Sequence, residues 1–472
     1  MLGKRRTEYI KFERMNRYSR VFIKPAVEKP AAEIYRHRRA ALLQKLDTVG
    51  VFCGVNREPG TEEVFVQTWN KMIQEPAFLY LTGINQAGCK MILDPLAENP
   101  DDREVLFLPK KDSAKEFWTG EKLGFSDEGV DALRTLTGFR NILPEASFWD
   151  FLTELVERRK CKTVKAFYWE FSTEAGIRCV AEDHNAQFAS ELKRRLPENI
   201  AVESLAQEHL DKRVVLDASQ LSDARRAVAW TKKAFCEFLK NLKSFKTERD
   251  AQLFLDYRMQ VQSDGDLAFP TIMACGKNAC CLHYVKNDEK LEAGKLLLMD
   301  FGIRAGTLHS DISRTIPVNG KFDPLQRILY SIVLDAQKFH AKNVRPGEKL
   351  VDLDRAVWDY ILKELESRLV SAGGRYRLLY DVRPHGVSHL IGEQIHEGDP
   401  FRLYMQKPLE PGMLLSNEPG LYGHFELEVS GIRYKEDVGI RIENDLLVTD
   451  SGCEDISADI PKEIEELEGL LA

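Results

Sequence analysis

The sequence lacks the marks of several common protein classes. Its nine cysteines are odd in number and include no Cys-x-x-Cys pair, so neither a disulfide framework nor a zinc ribbon is predicted. No apolar run approaches the ~18 residues that a membrane-spanning helix needs. The formal net charge is only -7 with both signs interspersed, which argues against a broad nucleic-acid-binding face. Free thiols are typical of a reducing compartment, so we expect a cytoplasmic protein that binds neither membranes nor nucleic acids.

The first 29 residues are basic but lack the features of a secretory signal. They open with MLGKRRTEYIKFERMNRYSR, which contains no apolar stretch of the kind found in signal peptides. Glu8 and Glu13 disfavour an organellar presequence without excluding import into an organelle. Because chain termini are commonly poorly ordered, we predict that residues 1–29 form a basic, disordered or loosely docked N-terminal extension.

The length of 472 residues predicts two domains, because single cores stop growing near roughly 250 to 300 residues. Between residues 30 and 205, short apolar runs alternate with helical patterns, which is typical of an α/β domain. We expect a first helix in AAEIYRHRRAALLQKL and strands in VGVFCGV, AFLYLTGI, CKMILDP and EVLFLP. Further helices are expected around residues 145–159 and 182–195.

A second domain is predicted over residues 206–465. It begins with helical spacing at residues 222–243 and a capping-box pattern at Thr247 and Asp250. Strand-like runs then surround two further helices, which begin near Pro324 and Leu350. This order of elements indicates an α+β domain.

Two aspartates flank a short glycine-bearing turn in the segment MDFGIRAGTLHSDISRT, residues 299–315. If its two strand-like halves pair as a hairpin, Asp300 stands directly opposite Asp311, at roughly 5 Å. At an effective dielectric constant of about 20, carboxylates at that distance repel by roughly 3 kcal/mol. We therefore expect a cation to neutralise them.

Later segments supply further polar candidates. PHGVSHLIGEQIHE holds His385, His389 and His396, three of only ten histidines in the chain. SNEPGLY ends an apolar run at Glu418, and the alternating pattern of VGIRIENDLLVT places Glu443 on the face opposite its apolar residues. Each motif alone fits an ordinary surface or core residue.

Taken together, four carboxylates and one histidine form an oxygen-rich ligand set. Such ligands suit hard or borderline divalent ions, including Mn, Mg, Fe, Co and Zn. Four carboxylates balance two divalent cations, and a pair of metals ~4 Å apart can bridge a water and make it a nucleophile near neutral pH. The sequence therefore predicts that Asp300 and Asp311 form one wall of a two-metal site.

These motifs resemble a known family. MDFG with SDISRT, HGVSH with IHE, SNEPGLY and GIRIEN occur in this order and resemble the pita-bread metallopeptidases that include aminopeptidase P and prolidase. YLTGINQAG and LFLPKKDSAKEFWTGEKLG resemble the amino-terminal domain of aminopeptidase P. The resemblance covers roughly residues 30–465 and implies an α/β amino-terminal domain followed by a pita-bread (creatinase/aminopeptidase-type) catalytic domain.

The resemblance also implies roles for individual residues. Asp300 would bind one metal, His389 and Glu418 the other, and Asp311 and Glu443 both, with Glu418 as proton acceptor for the bridging hydroxide. His283 and His396 would hold substrate and stabilise the oxyanion. The residues that would receive proline after the scissile bond are His385, Tyr422 and Arg441.

The expected activity is that of an Xaa-Pro aminopeptidase acting on peptides with proline in second position, with two divalent metal ions. Mn2+ is expected first, with Co, Zn or Fe as alternatives, and family likeness implies a homo-oligomer, a dimer or a tetramer. Where bacterial members carry Asp and Thr-Val, this chain has Glu397 and Ser416-Asn417, and residues 423–438 also depart from the pattern. These departures concern the pocket and not the ligands.

Two rival interpretations remain open. A prolidase would use the same metal site but accept only X-Pro dipeptides. A metal-free peptide-binding module of the same fold would have lost ligand positions, whereas all five are filled here by competent residues.

Overall fold

The computed structural model describes residues 31–55, 74–172, 178–180, 183–263, 266–381 and 383–472. The predicted basic extension, residues 1–29, lies outside the described residues. The chain divides into two compact units between Lys212 and Arg213. Within the part of the chain that the structure describes, no helix is both long and apolar enough to cross a membrane.

The first unit is built on a mixed sheet. Its strands are β1 (Gly50–Cys53), β2 (Lys90–Leu93), β3 (Glu104–Leu108), β4 (Asn141–Pro144), β5 (Thr163–Ala166) and β8 (Ala201–Ser204), with β6 (Glu170–Ser172) and β7 (Arg178–Val180) as a separate pair. Among the described residues the main sheet has the strand order β4-β3-β2-β1-β5-β8. The helices are α1 (Ala31–Leu43), α2 (Pro76–Thr82), α3 (Ser113–Thr119), α4 (Val130–Thr137), α5 (Phe148–Arg159), α6 (His184–Arg195) and α7 (Ala206–Arg213).

The pleat of this sheet separates two apolar clusters. Phe52 and Met91 point into one cluster with Leu42 of α1, while Val51 points into the other with Leu152 of α5. Successive strand residues face opposite sides, so a run that is apolar at every position is buried on both faces. The expected α/β layering is confirmed.

One predicted strand is a helix. AFLYLTGI was expected to be extended, but residues 76–82 form α2. The Glu75 carboxylate accepts hydrogen bonds from the first backbone amides, Pro76 occupies the first turn, and Gly83 ends the helix with φ +69°. Because residues 77–82 are all buried, no helical period is visible in the sequence.

The second unit is α+β. Its helices are α8 (Ala218–Asn241), α9 (Glu248–Gln262), α10 (Pro324–Asn343), α11 (Leu350–Glu364) and α12 (Ile464–Leu471). Its strands are β9 (Ile272–Cys275), β10 (Leu296–Phe301), β11 (Arg304–Ala305), β12 (Leu308–His309), β13 (Ile312–Pro317), β14 (Arg375–Leu378), β15 (Leu414–Asn417), β16 (Gly420–Val429), β17 (Ile432–Arg441), β18 (Asn444–Val448) and β19 (Cys453–Asp455). The predicted capping box between Thr247 and Asp250 is confirmed.

Three small antiparallel sheets organise the strands of this unit among the described residues: β13-β10-β9, β14-β16-β17 and β15-β18-β19. The predicted single strand VGIRIENDLLVT is divided, since β17 ends at Arg441 and β18 begins at Asn444. Glu443 therefore lies in the break between two sheets. Gly439 allows a close approach, because a Cβ there would stand 2.1 Å from the Ala279 carbonyl oxygen.

The predicted register of the aspartate hairpin is wrong by two residues. Asp300 pairs with Ser313, not with Asp311. The reason is that residues 304–309 form their own small hairpin, β11 with β12, which enlarges the connection and leaves Asp311 just before β13. A shift of two residues preserves the face to which each side chain points, so both aspartates still project to one side.

Candidate active site

The predicted ligands converge although they come from five separate chain segments. Asp300 lies in β10 and Asp311 precedes β13. His389 lies in the long connection before β15, Glu418 follows β15, and Glu443 lies between β17 and β18. Donor atoms of Asp311, His389 and Glu443 all lie within 4.8 Å of one another. The His389 Nε2 atom is 3.4 Å from Asp311 Oδ2 and 3.5 Å from Glu418 Oε1.

Backbone hydrogen bonds hold these segments together. The Glu443 amide donates to the Ser313 carbonyl at 3.0 Å, which joins the break between sheets to the strand opposite Asp300. The Glu418 amide donates to the Val387 carbonyl at 2.9 Å. The Ser416 amide donates to the His389 carbonyl at 2.9 Å, and the His389 amide donates back to Ser416 Oγ at 3.0 Å. The backbone and hydroxyl of Ser416 thus fix the histidine loop.

The site is short of positive charge. Burial, only partly offset by the Arg441 charge, and the charge of Asp311 raise the pKa of Asp300 to about 6. Burial and the neighbouring carboxylates likewise raise the pKa of Glu418 to about 7, against the opposing charges of His389 and Arg441. The pKa of Glu443 is raised well above its usual value by burial and then by the charges of Asp311 and Glu418. Buried carboxylates that cannot all ionise together are a site for a cation.

The orientation of His389 points to the same conclusion. Its Nδ1 atom lies 3.0 Å from the Leu390 carbonyl oxygen and can only donate to it, so the neutral ring turns the Nε2 lone pair toward two carboxylates. Burial lowers the pKa of His389, but the hydrogen bond with Asp311 and the charge of Glu418 outweigh it and raise the pKa to about 9. Either a proton or a metal must stand between this nitrogen and the carboxylates.

Asp300 gives a further test of whether a metal fits. Its Oδ2 atom accepts a 2.5 Å hydrogen bond from Arg441 Nη2. Its Oδ1 atom is buried and has no hydrogen-bond partner among the described residues. A buried carboxylate oxygen without a partner is costly unless an ion occupies its free side. The donor set and this open oxygen fit divalent metal ions.

The three residues expected to receive proline form one contact chain. His385 Nε2 lies 3.0 Å from Tyr422 Oη, and Arg441 Nη1 donates to the same oxygen at 3.3 Å. The rings of His385 and Tyr422 meet edge to face at 5.6 Å. Burial and then the Arg441 charge lower the pKa of His385 to about 4, so its ring is neutral near pH 7.

His396 and His283 lie near the metal ligands as well. The His396 ring is 4.2 Å from the His389 ring, centroid to centroid. Burial, followed by the His389 charge, lowers the pKa of His396 to about 4. His283 is exposed, and its charge contributes to lowering the pKa of both His385 and His396. The structure therefore brings all the predicted candidates into one neighbourhood.

Sequence reasoning missed the residues that support this arrangement. Arg314 is fully buried and donates hydrogen bonds to the carbonyls of Glu443, Ile460 and Pro461, so it anchors the break that carries Glu443. Glu248 of α9 accepts hydrogen bonds from Tyr284 Oη at 2.9 Å and from the Glu289 amide at 3.0 Å, which fixes the loop around His283. Their partners are distant in sequence, so no local pattern reveals them.

Glu397, which departs from the family pattern, has a buried partner that its sequence motif does not reveal. Its carboxylate forms a buried ion pair with Arg213, including a 3.1 Å contact to Arg213 Nε. The Glu397 amide donates to the Leu390 carbonyl at 2.7 Å. Through these contacts the first residue of the second unit holds the loop that carries His389 and His396.

Comparison with known proteins agrees with this geometry. The family model of Metallopeptidase family M24 matches residues 222–450. The model of the Aminopeptidase P N-terminal domain matches residues 35–164. The two matches fall on the two predicted domains and confirm the predicted fold class, an α/β amino-terminal domain with a pita-bread catalytic domain.

Individual relatives share most of the chain's length. Xaa-Pro aminopeptidase 3 of Mus musculus is 29% identical over 404 residues, covering 84% of this chain and 76% of the relative. The mitochondrial intermediate cleaving peptidase 55 of Arabidopsis thaliana is 27% identical, covering 84% of this chain and 75% of the relative. The structure of a putative aminopeptidase P from Bacillus anthracis is similar with a TM-score of 0.76 and 25% identity, covering 93% and 98% of the two chains.

Proposed function

Because this chain belongs to metallopeptidase family M24, in the group that carries an aminopeptidase P amino-terminal domain, we propose that it is an Xaa-Pro aminopeptidase. It removes the N-terminal residue of a peptide whose second residue is proline. The observation that carries the proposal is the largely buried cluster of four carboxylates around His389. Burial and the neighbouring charges raise the pKa values of three of them, Asp300, Glu418 and Glu443, so the cluster favours the binding of positive charge.

Two divalent ions would supply that charge. Asp300 would hold one ion, His389 and Glu418 the other, and Asp311 and Glu443 would hold both. Mn2+ suits this oxygen-dominated set, and Co, Zn or Fe would also fit it. When bound, such ions polarise the scissile carbonyl and lower the pKa of a coordinated water.

Glu418 acts as the proton acceptor. Burial and the neighbouring carboxylates raise the pKa of Glu418, so its surroundings favour the uptake of a proton. Ser416 Oγ donates to Glu418 Oε1 at 3.2 Å and so holds the carboxylate in position at the end of β15.

His396 and His283 bind and orient the substrate. A neutral imidazole can donate a hydrogen bond to the oxygen that gains charge as the peptide carbon becomes tetrahedral. The low pKa of His396, about 4, keeps its ring neutral at physiological pH, so it adds a donor without adding a fixed positive charge to the site.

His385, Tyr422 and Arg441 receive the proline ring. The bond before proline is a tertiary amide without an N–H, so its recognition depends on shape more than on hydrogen bonding to the amide. The rings of His385 and Tyr422, which meet edge to face, supply an aromatic wall against which the proline ring can pack. Arg441 links this wall to Asp300, because its guanidinium donates to both Tyr422 Oη and Asp300 Oδ2.

The proposal extends to the cellular setting. We expect a cytoplasmic enzyme that forms a homo-oligomer, a dimer or a tetramer. Free cysteines support the reducing compartment: those in the described part of the chain form no disulfide. A mass measurement in solution would test the oligomer, and localisation of the full chain would test the compartment.

A peptide panel tests the activity and separates it from that of a prolidase. Purified protein with Mn2+ should release the first residue from X-Pro tripeptides and longer peptides, and should leave matched X-Ala peptides intact. Cleavage confined to X-Pro dipeptides would identify a prolidase instead. Absence of any cleavage, with no divalent metal found by elemental analysis, would favour the metal-free binding module.

A histidine substitution tests the metal ligands. His389→Ala should weaken metal retention at least about 10-fold, which is the loss produced even when a ligand's outer partners are removed. Competition with a chromogenic chelator measures this affinity without relying on turnover. His424→Ala is the matched control, because His424 lies on β16 and contacts Asp437 and Glu426, away from the cluster. Equal metal affinity in both variants would contradict the assignment of His389.

A further inference from the structure

A cavity of about 230 Å³ opens in the second unit beside His385 and Tyr422, the pair that we call the proline wall. Aromatic and aliphatic side chains line it, among them Trp358 and Leu362 of α11, Tyr380, and Tyr422 of β16. Two carboxylates, Asp359 and Asp381, complete the lining together with an arginine. None of these residues except Tyr422 has a role in the proposed reaction.

Two residues that line the cavity, Trp358 and Tyr422, also contact His385 of the proline wall. Trp358 Nε1 donates a hydrogen bond to the His385 carbonyl at 3.2 Å, and the two rings meet at 80° with centroids 5.6 Å apart. Tyr422 also contacts His385, through the 3.0 Å contact between its Oη atom and His385 Nε2. Two walls of the cavity therefore hold the residue against which proline packs. A group bound in the cavity lies next to the proline subsite.

The charges of the cavity are unbalanced. Both Asp359 and Asp381 are exposed, and in the described part of the chain no ion pair is formed by either of them. The arginine of the lining, Arg383, is paired with Asp354 through a 3.3 Å contact. The rim is thus acidic, while the interior is apolar and aromatic.

We propose that this cavity binds the side chain of the substrate residue that follows proline, and that it selects lysine or arginine there. The proposal rests on the proposed Xaa-Pro aminopeptidase function. It deepens that function, because it names a second sequence requirement in the peptide. No residue of the metal cluster is involved.

Reach and chemistry both favour this occupant. Consecutive Cα atoms are 3.80 Å apart, so the residue that follows a proline packed on His385 and Tyr422 is within reach of the cavity. Lysine and arginine have long apolar stems that can lie along Leu362 and the aromatic rings while the charged end stays near water. A cation beside an aromatic face is attracted to it, and the two carboxylates add to that attraction.

A kinetic comparison tests the selection. Peptides of the form Ala-Pro-X-Ala with X as lysine or norleucine have side chains of similar length and differ in the terminal charge. We expect kcat/KM for the lysine peptide to exceed that for the norleucine peptide by about 10-fold, which corresponds to about 1.4 kcal/mol and is within the range of a partly desolvated cation–π contact. The double variant Asp359→Asn with Asp381→Asn should bring this ratio close to one.

A control on the same helix separates the cavity from general electrostatics. Asp352→Asn removes a carboxylate of α11 that pairs with Arg355 and does not line the cavity. It should leave the lysine-to-norleucine ratio unchanged. A ratio near one in the unmodified protein, or an equal fall in the Asp352→Asn variant, would overturn the proposal.

A binding measurement distinguishes failure of this proposal from failure of the proposed function. Isothermal titration of the amides of Pro-Lys and Pro-norleucine needs no turnover, because neither peptide presents an X-Pro bond. Tighter binding of Pro-Lys amide that disappears in the Asp359→Asn, Asp381→Asn variant would support the cavity even in a protein that cleaves no peptide. Cleavage of X-Pro peptides together with equal binding of the two amides would leave the function standing and refute the cavity.

Discussion

Carboxylates in this protein differ in whether a positive charge lies beside them. In the first unit, Asp94 and Glu104 each meet an arginine, at 3.0 Å from Arg159 and 2.7 Å from Arg39. In the second unit, four carboxylates cluster, and the arginine that contacts them among the described residues, Arg441, pairs with one oxygen of Asp300. Carboxylates paired with an arginine stabilise the fold, whereas a cluster of carboxylates with too few cations favours the binding of a positively charged ligand.

This difference separates stability from function. A buried ion pair roughly balances its own desolvation, and removing one partner is strongly destabilising. A cluster of unmatched carboxylates is costly in the folded state until a cation binds, and binding then also stabilises the fold. Substitutions that remove one charge from each kind of site should therefore have different effects.

The largest expected effect comes from Glu418 in the unmatched cluster. Glu418→Gln keeps the size of the side chain but removes its ability to accept a proton, so turnover should fall by roughly 10²–10⁴-fold. Steady-state kinetics on an X-Pro tripeptide measures this, and circular dichroism should show an unchanged fold. The matched control is Glu436→Gln, because Glu436 is buried but paired with Lys295 at 3.2 Å. Full activity in Glu418→Gln would refute its assignment as the base.

The next effect concerns a matched pair within the second unit. Arg213→Met leaves Glu397 buried without its cation, which should cost about 3–5 kcal/mol in the free energy of unfolding. Denaturant titration measures that change. Adding Glu397→Gln to the same chain should recover part of the loss, because the unpaired charge is then removed. If the double variant is no more stable than Arg213→Met alone, the pair does not behave as a matched buried ion pair.

The sequence predicts the ligands better than it predicts their supports. Asp300 and Asp311 were expected on one face and lie there, although the register differs by two residues, because side-chain direction depends only on parity along a strand. The hairpin inside residues 304–309 has no distinct signature in a glycine-bearing turn. Arg314 and Glu248 could not be identified, since their partners lie far along the chain and leave no periodic pattern.

A pH effect tests the supports behind the histidine loop. His340 of α10 is fully buried and lies 3.1 Å from Ser388 Oγ, and burial lowers its pKa to about 4. Between pH 6.5 and 4 the unfolded chain takes up a proton at His340 that the folded protein does not, so stability present above pH 6.5 falls as the pH falls. The loss at pH 4 is at most roughly 3 kcal/mol.

His340→Gln should flatten this dependence, because glutamine can donate to Ser388 without titrating. Denaturant titrations of both proteins at a series of pH values, with the same metal present, isolate the contribution of His340 as a difference. Buried histidines elsewhere cancel in that difference. Parallel curves for the two proteins would show that His340 is protonated to the same extent in both states.

The smallest effect is expected at a partly exposed carboxylate that has two cationic partners. Glu426 of β16 lies 2.5 Å from Arg433 and 2.8 Å from Lys435, and hydrogen bonds from Lys435 and then Arg433 lower its pKa to about 2. Its stabilising contribution is present above the unfolded pKa of about 4.5 and disappears as the pH falls toward 2. Surface ion pairs are screened by water and salt, so Glu426→Gln should lower the melting temperature only slightly at neutral pH.

That small difference in melting temperature should shrink both in acid and at high salt, while metal affinity and turnover stay those of the unmodified chain. A large loss of activity in this variant would mean that the hairpin of residues 423–438 takes part in binding the substrate. It would also mean that the charges around a carboxylate do not indicate whether it contributes to stability or to activity.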